Sequence, residues 1–221
     1  MESKQCKIVS IEGNIGSGKS TLLENLKNHY KDDTTVVFLK EPVDEWDKIR
    51  DKEGNTMLSK FYADQEKYSF SFQMMAYISR LKILRDTIKT YAGKDITIIT
   101  ERSLFTDKYV FAKMLYDQGK IEDVCYQIYL NWFDEFAQDF PITHTVYVCA
   151  DPQICYERVH LRARKGEELI PIAYLQDCHT YHEEFIGNIK SDILILNGNY
   201  DIYKNEKIVG EWLNDINEFI S

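Results

Sequence analysis

Five short apolar runs recur along the chain: "KIVSIE" (7–12), "TTVVFLK" (34–40), "DITIIT" (95–100), "HTVYVCA" (144–150) and "DILILN" (192–197). They are rich in β-branched residues and mostly apolar throughout, the pattern of strands buried on both faces of a parallel sheet. Longer stretches with helical spacing separate them: "STLLENLKNHY", "FSFQMMAYISRLKILRDTIKTY", "IEDVCYQIYLNWFDEFAQ", "PQICYERVHLRAR" and "IPIAYLQDCHTYHEEFI". This alternation predicts an α/β fold, a five-stranded parallel sheet flanked by helices. No repeat, low-complexity tract or proline-rich linker interrupts it, so residues 1–221 read as a single domain.

Composition narrows the picture by exclusion. A net charge of -9 argues against a nucleic-acid polymer or an anionic membrane as partner. The N-terminus has no apolar signal core and no transit-like extension, and no apolar stretch approaches the length of a membrane span. The expected location is therefore cytoplasmic. The five cysteines are scattered and form no C-x-x-C, which suits reduced thiols. Cys178, His179, His182 and Glu183 could hint at a metal, but four converging ligands are needed and no second cluster supplies them. A helix with solvated histidines is the expectation there.

The first candidate chemistry follows the first strand. Gly13, Gly18, Lys19 and Ser20 satisfy G-x-x-x-x-G-K-[ST] between a strand and an amphipathic helix, the context that this phosphate-binding loop requires. Gly13, Asn14, Ile15, Gly16, Ser17, Gly18, Lys19, Ser20 and Thr21 would wrap the phosphates with backbone N–H groups at a helix N-terminus. Lys19 would reach the β- and γ-phosphates, and Ser20 would help hold Mg²⁺. No N-K-x-D is present to read guanine, so transfer to a small acceptor is favoured over a GTPase switch.

Charged residues at two further strand ends fall where α/β sheets bind ligands. "VVFLKEPVDEW" delivers Glu41 and "ITIITERSLFTD" delivers Glu101 and Arg102. Glu101 resembles an acid that holds Mg²⁺, and Arg102 could neutralise the transferring group. Glu41 would repel an incoming phosphomonoester but orient a neutral hydroxyl, which points to an uncharged alcohol as acceptor. On "YSFSFQMMAYISRL", Gln73 and Arg80 share a helix face about 10 Å apart. A glutamine amide suits the edge of a base, and Tyr68, Phe70, Phe72 and Tyr77 could pack on its plane. Arg158, Arg162, Arg164 and Lys165 fit either a mobile cationic lid or a solvated helix end.

Together "IEGNIGSGKST", "EPVDEW", "YSFSFQ…SRL", "ERSLFTD" and "RVHLRARKGEELIPIAYL" resemble the deoxynucleoside kinase family, in order, over residues 7 to 185. The resemblance implies a P-loop kinase with an arginine-rich lid at about 160–170. Such an enzyme moves the γ-phosphate of ATP or another triphosphate to the 5′-hydroxyl of a 2′-deoxynucleoside, in nucleotide salvage. It implies Glu41 as the base, assisted by Arg102, with Glu101 and Ser20 on Mg²⁺ and Gln73 on the nucleobase. Tyr62 and Glu167 would share the sugar 3′-hydroxyl, and Arg158, Arg162 and Arg164 would close on the triphosphate. Arg80 and Asp107 match the pair that the deoxycytidine and deoxyguanosine branch carries, favouring deoxycytidine or a purine deoxynucleoside over thymidine. Ile15, Val43, Leu58, Ala76 and Phe111 would line the base pocket. Near the donor base Asp201 is kept, while Ile202 stands where an aromatic is expected, which leaves the donor open. A homodimer through a helical interface is also implied, to which "IEDVCYQIYLNWFDEF" could contribute. The alternatives are a thymidylate kinase-like nucleoside monophosphate kinase and a non-catalytic nucleotide-binding regulator. The acids of "EPVDEW" and the intact arginines speak against both.

Overall fold

The computed structural model describes residues 6–162, 164, 167–202 and 205–221, with the side chain of Glu206 excepted. Its strands are β1 (Cys6–Glu12), β2 (Val36–Leu39), β3 (Ile96–Glu101), β4 (His144–Cys149) and β5 (Asp192–Asn197). They form one sheet in the order β2-β3-β1-β4-β5, and every pairing is parallel. The three central strands are buried on both sides, with Val9, Ile11, Ile98, Ile99, Val146 and Val148 all at 0% exposure. That explains their unbroken apolar sequence.

The helices, in chain order, are α1 (Lys19–His29), α2 (Val43–Trp46), α3 (Met57–Ala63), α4 (Gln65–Thr90) and α5 (Leu104–Thr106). After a π-helical stretch (Asp107–Ala112) come α6 (Lys113–Asp117), α7 (Asp123–Phe136), α8 (Pro152–Arg162), α9 (Ile172–Asn188) and α10 (Glu206–Ile220). On one face of the sheet α1 and α10 pack Leu22, Leu23, Leu26, Trp212, Ile216 and Ile220 against Val9, Ile11, Val146 and Val148. On the other, α4 and α7 pack Tyr77, Leu81, Leu84, Tyr129 and Phe133 against Ile8, Ile96 and Ile98. Each fully buried aliphatic chain contributes about 1.5–3 kcal/mol relative to an exposed one.

Several boundaries differ from the sequence reading. α4 begins at Gln65 rather than at Phe70, because the Asp64 carboxylate caps it by accepting from Lys67 N–H at 3.1 Å. β2 stops at Leu39, two residues before Glu41. α10 was not among the expected elements, although Trp212, Ile216 and Ile220 recur at helical spacing on its buried face. His182 is not solvated: it is 0% exposed, and its Nδ1 lies 2.6 Å from the Cys178 carbonyl oxygen. The apolar stripe of Tyr174, Leu175, Cys178, Phe185 and Ile186 carries it into the core. Among the described residues no group of three His, Cys, Asp or Glu side chains could hold a metal ion.

Candidate active site

The carboxyl ends of β1, β2 and β3 open onto a cavity of about 570 Å³. Its floor is the turn between β1 and α1. There a Cβ on Gly13 (φ +144°) would lie 2.6 Å from the Val148 carbonyl oxygen, and one on Gly16 (φ +82°) 2.5 Å from that of Cys155. Only glycine fits these approaches. Asn14 anchors the turn, donating from Nδ2 to the Leu175 carbonyl at 2.8 Å and accepting from Ile15 N–H at 2.8 Å. Ile15 through Thr21 border the cavity, whereas Gly13 and Asn14 lie behind it as supports. Lys19 Nζ donates to the Asn14 carbonyl at 2.6 Å; burial, with Arg102 nearby, lowers its pKa to about 7. Ser20 Oγ donates to Glu101 Oε1 at 2.6 Å, so the two expected metal-side residues are in contact.

Opposite this floor, Glu41 Oε1 accepts from Arg102 Nη1 at 2.7 Å and from Arg80 Nη2 at 3.1 Å. Burial by itself would raise the Glu41 pKa, but Arg102, Arg80 and Lys19 outweigh it and hold the group at about 2. Arg80 Nε also donates to Asp107 Oδ2 at 3.0 Å, and its Nη1 donates to the Glu101 carbonyl at 2.6 Å. Asp107 behaves oppositely to Glu41: burial outweighs Arg80 and raises its carboxyl to about 6. Arg102 has a left-handed backbone, φ +61°, uncommon for a residue with a Cβ. Its guanidinium carbon lies 5.1 Å from the centre of the Phe111 ring.

Most of the residues expected around a base border this one cavity, with one correction of depth and one of membership. Ile15, Val43, Leu58, Tyr62, Phe72, Gln73, Ala76, Asp107 and Phe111 all border the cavity, but Arg80 does not. It shares the Gln73 helix face and lies beneath Asp107 and Glu41, 5% exposed. Gln73 is buried, and its Oε1 has no hydrogen-bond partner among the described residues. Of the four aromatics expected against a base, only Phe72 borders the cavity; Tyr68, Phe70 and Tyr77 do not. Tyr77 is fully buried between Tyr129 and Phe133, because α4 turns that face toward the sheet. The sequence reading missed Trp46, Phe61 and Tyr174. Phe72 stacks on Phe61 at 4.5 Å and meets Trp46 edge-on at 5.6 Å, while Tyr62 meets Tyr174 edge-on at 6.1 Å.

The arginine-rich segment closes the far side. Glu167, 4% exposed, accepts from Arg162 Nη2 at 2.5 Å and from Arg164 Nη1 at 3.2 Å. Tyr62 lies near enough that burial and the Glu167 carboxylate both raise its phenol. Arg158 instead donates to three backbone carbonyls, Ser17 (3.3 Å), Gly198 (2.7 Å) and Tyr200 (2.9 Å), tying α8 to the phosphate loop. Lys165 lies outside the described residues. Asp201 and Ile202 border the cavity, as do Leu161, Tyr200 and Trp212, which no expectation from the sequence included.

A glycine loop at the head of a helix and a carboxylate held between two arginines define a P-loop phosphotransferase. The family model for deoxynucleoside kinase matches residues 9–221, and the chain belongs to that family. It is a deoxynucleoside kinase, a phosphotransferase whose acceptor is an alcohol group. It is similar to the probable deoxycytidine kinase of Fowlpox virus, 35% identical over 97% of this chain and 88% of the relative. It is likewise similar to Homo sapiens deoxycytidine kinase (32%, covering 84% and 77%) and to the mitochondrial deoxyguanosine kinase of Xenopus laevis (30%, covering 96% and 88%).

Proposed function

We propose that this enzyme transfers the γ-phosphoryl group of ATP to the 5′-hydroxyl of deoxycytidine or a purine deoxynucleoside. The observation that carries this reading is the contact of Glu41 with both Arg102 and Arg80, between the phosphate loop and the pocket of Gln73 and Asp107. Glu41 accepts a hydrogen bond from the 5′-hydroxyl and turns its lone pair toward the γ-phosphorus. A carboxylate at about 2 is a weak base. It therefore receives the proton late, once bonding to phosphorus has acidified the hydroxyl, which suits a loose transition state in which positioning dominates. Arg102 holds Glu41 and offers charge to the transferring oxygens, and Lys19 bridges the β- and γ-phosphates.

The donor set suits a magnesium ion. Ser20 and Glu101 present adjacent hard oxygens beside Lys19, and Mg²⁺ takes few protein ligands when phosphates and water complete its shell. Bound there, Mg²⁺ would neutralise charge on the β- and γ-phosphates. Tyr62 and Glu167 bracket the sugar 3′-hydroxyl, and Arg162 and Arg164 serve the triphosphate. On the base side, Gln73 presents its unpaired Oε1. Asp107 accepts from an exocyclic amino group, with Arg80 as its counter-charge. Thymine offers carbonyls and a methyl group there and leaves Asp107 unmatched, which is costly in a buried site. The named activities of the similar proteins support the same acceptor class. The wall of Tyr200, Ile202 and Trp212 lacks the expected aromatic at 202, so triphosphates other than ATP belong in the donor test.

The enzyme works as a homodimer on this reading. Val124 (60% exposed), Ile128 (41%) and Trp132 (49%) form one stripe along α7, and Ile78 (44%) of α4 is likewise exposed. Tyr77 Oη donates to the Trp132 carbonyl at 3.0 Å, fastening the two helices together. A second copy of the same face would cover these side chains. The deciding assay follows ADP release with ATP and Mg²⁺ against the four deoxynucleosides and their monophosphates. Turnover of deoxycytidine, deoxyadenosine or deoxyguanosine above thymidine supports the proposal; turnover of monophosphates alone refutes it.

A further inference from the structure

Glu12 ends β1, directly before the first glycine of the phosphate loop, and is 0% exposed. It does not border the cavity. What it touches is the opposite loop. Thr106 Oγ1 donates to Glu12 Oε2 at 2.5 Å, and Ser10 Oγ donates to Glu12 Oε1. A carboxylate only accepts, so the single hydroxyl proton of Thr106 goes to Glu12. Thr106 Oγ1 must then be the acceptor toward Ser103, from N–H at 3.3 Å and from Oγ at 3.0 Å. Ser103 Oγ in turn accepts from Thr106 N–H at 3.2 Å. Ser10 and Thr106 are 0% exposed and Ser103 is 3% exposed, so the network contains no freely wetted member. Each proton has one destination, and the Ser103–Thr106 turn has one orientation relative to β1.

Both ends of that turn carry acceptor-site groups. Arg102 precedes Ser103; its N–H donates to the Ile11 carbonyl at 2.9 Å, and its Nη2 lies 3.5 Å from the Gly13 carbonyl oxygen. Asp107 follows Thr106 and receives Arg80 at 3.0 Å. Arg102 and Arg80 both end on Glu41, so the acceptor base takes its place from a turn whose footing is Glu12.

We infer that Glu12 is a positioning residue: by fixing Thr106 it sets the phosphate loop against the Arg102–Asp107 turn, and so aligns the donor phosphate with the acceptor hydroxyl. This rests on the reading of Glu41 and Arg102 as acceptor-site groups. Thr106→Val removes the donor at nearly constant volume, Thr106→Ser keeps it, and Glu12→Gln replaces one acceptor oxygen with a donor. Each is measured for kcat per folded active site and for both KM values. Thr106→Val should lower kcat by about tenfold or more while each KM stays within about threefold, because misalignment acts on the chemical step. Thr106→Ser should restore kcat, and Glu12→Gln should share the loss. Wild-type kcat per folded molecule in Thr106→Val overturns the inference, as does a loss that Thr106→Ser fails to repair. If Thr106→Val does not fold, an unchanged kcat in Glu12→Gln overturns it instead. Glu41→Gln is assayed alongside: full activity there removes the acceptor-site reading itself. An inactive Glu41→Gln beside a fully active Thr106→Val removes only the role of Glu12.

Discussion

Arg102 Nη1 meets Glu41 Oε1 at 2.7 Å from a left-handed backbone, so the Glu41 carboxylate is held by a residue whose own conformation is unfavourable. Left-handed backbone at a non-glycine residue costs about 1–3 kcal/mol and persists only where its surroundings enforce it. Removing the carboxylate's charge tests what that arrangement achieves. Glu41→Gln should bind ATP as the wild type does and lose at least about a hundredfold in kcat. Nucleotide binding by fluorescence titration, with kcat from coupled ADP release, separates the two. Full turnover would remove Glu41 from the mechanism.

Two glycines with similar backbones should respond differently to the same substitution. Gly16 and Gly54 have φ +82° and +86°. A Cβ at Gly16 meets the Cys155 carbonyl at 2.5 Å and Val159 Cγ2 at 3.0 Å, whereas at Gly54 nothing lies within 4 Å. Gly54→Ala should cost about 1–2 kcal/mol of stability, the price of a left-handed alanine, with kinetics unchanged. Gly16→Ala should also push the phosphate loop off α8 and raise the ATP KM by about tenfold or more. Thermal melts and Michaelis curves on both variants decide it; equal ATP KM values would show that the loop absorbs the methyl.

Lys19 gives the donor site a proton signature. Burial and Arg102 lower its pKa to about 7, so well above that pH the free enzyme carries it largely neutral. The triphosphate favours the charged form, and binding should therefore take up a proton. Uptake should grow as pH rises through 7, approaching about one proton per site. Calorimetry of ATP binding in buffers of different ionisation enthalpy measures this directly. Enthalpies that do not depend on the buffer at alkaline pH would contradict it, and Lys19→Arg should abolish the effect.

What the sequence made legible was what depends on neighbours in the chain. The strands showed because both faces of the sheet are covered, and the phosphate loop because its spacing fixes its geometry. Glu41, Glu101 and Arg102 showed because strand ends converge. What stayed hidden was set by packing between distant segments. Trp46, Phe61 and Tyr174 reach one pocket from α2, α3 and α9, and no local pattern marks that meeting. Arg80 shares a face with Gln73, yet Asp107 and Glu41 draw it below the cavity. His182 looked solvent-facing beside Glu183, but it follows Cys178 on the stripe that α9 buries.

The stripe on α7 makes the assembly testable apart from catalysis. Ile128 lies centrally between Val124 and Trp132, outside every contact described for the active site. Ile128→Glu should convert a dimer into a monomer in sedimentation velocity, since one buried unpaired charge destabilises such a face by several kcal/mol. A wild-type chain that sediments as a monomer at micromolar concentration would end the dimer proposal.

If Asp107 reads the base as proposed, base choice turns on its burial, which raises its carboxyl to about 6 while Arg80 opposes the shift. Above that pH the carboxylate accepts from an exocyclic amino group; below it the proton blocks that bond. Glu41, held at about 2, remains a carboxylate throughout this range and adds no acid limb of its own. Hence kcat/KM for deoxycytidine should fall as pH drops through about 6, and less so for thymidine. Folding has the matching sign: the folded chain holds this proton more tightly than the ordinary value of 3.8. The group's stabilising contribution is therefore full below that value and lost as pH rises through 6. Asp107→Ala alone takes from the buried Arg80 one of its two carboxylate partners and leaves its Nε without an acceptor, which destabilises the fold. Arg80→Met with Asp107→Ala removes both charges, so the double variant should melt above the single one and lose the acid limb. It should also shift the thymidine-to-deoxycytidine ratio of kcat/KM by at least about a hundredfold, the scale at which a site built for a hydrogen bond rejects a substrate lacking it. A ratio within twofold of the wild type in a folded double variant would show that the base is read elsewhere, with Gln73 the next residue to test.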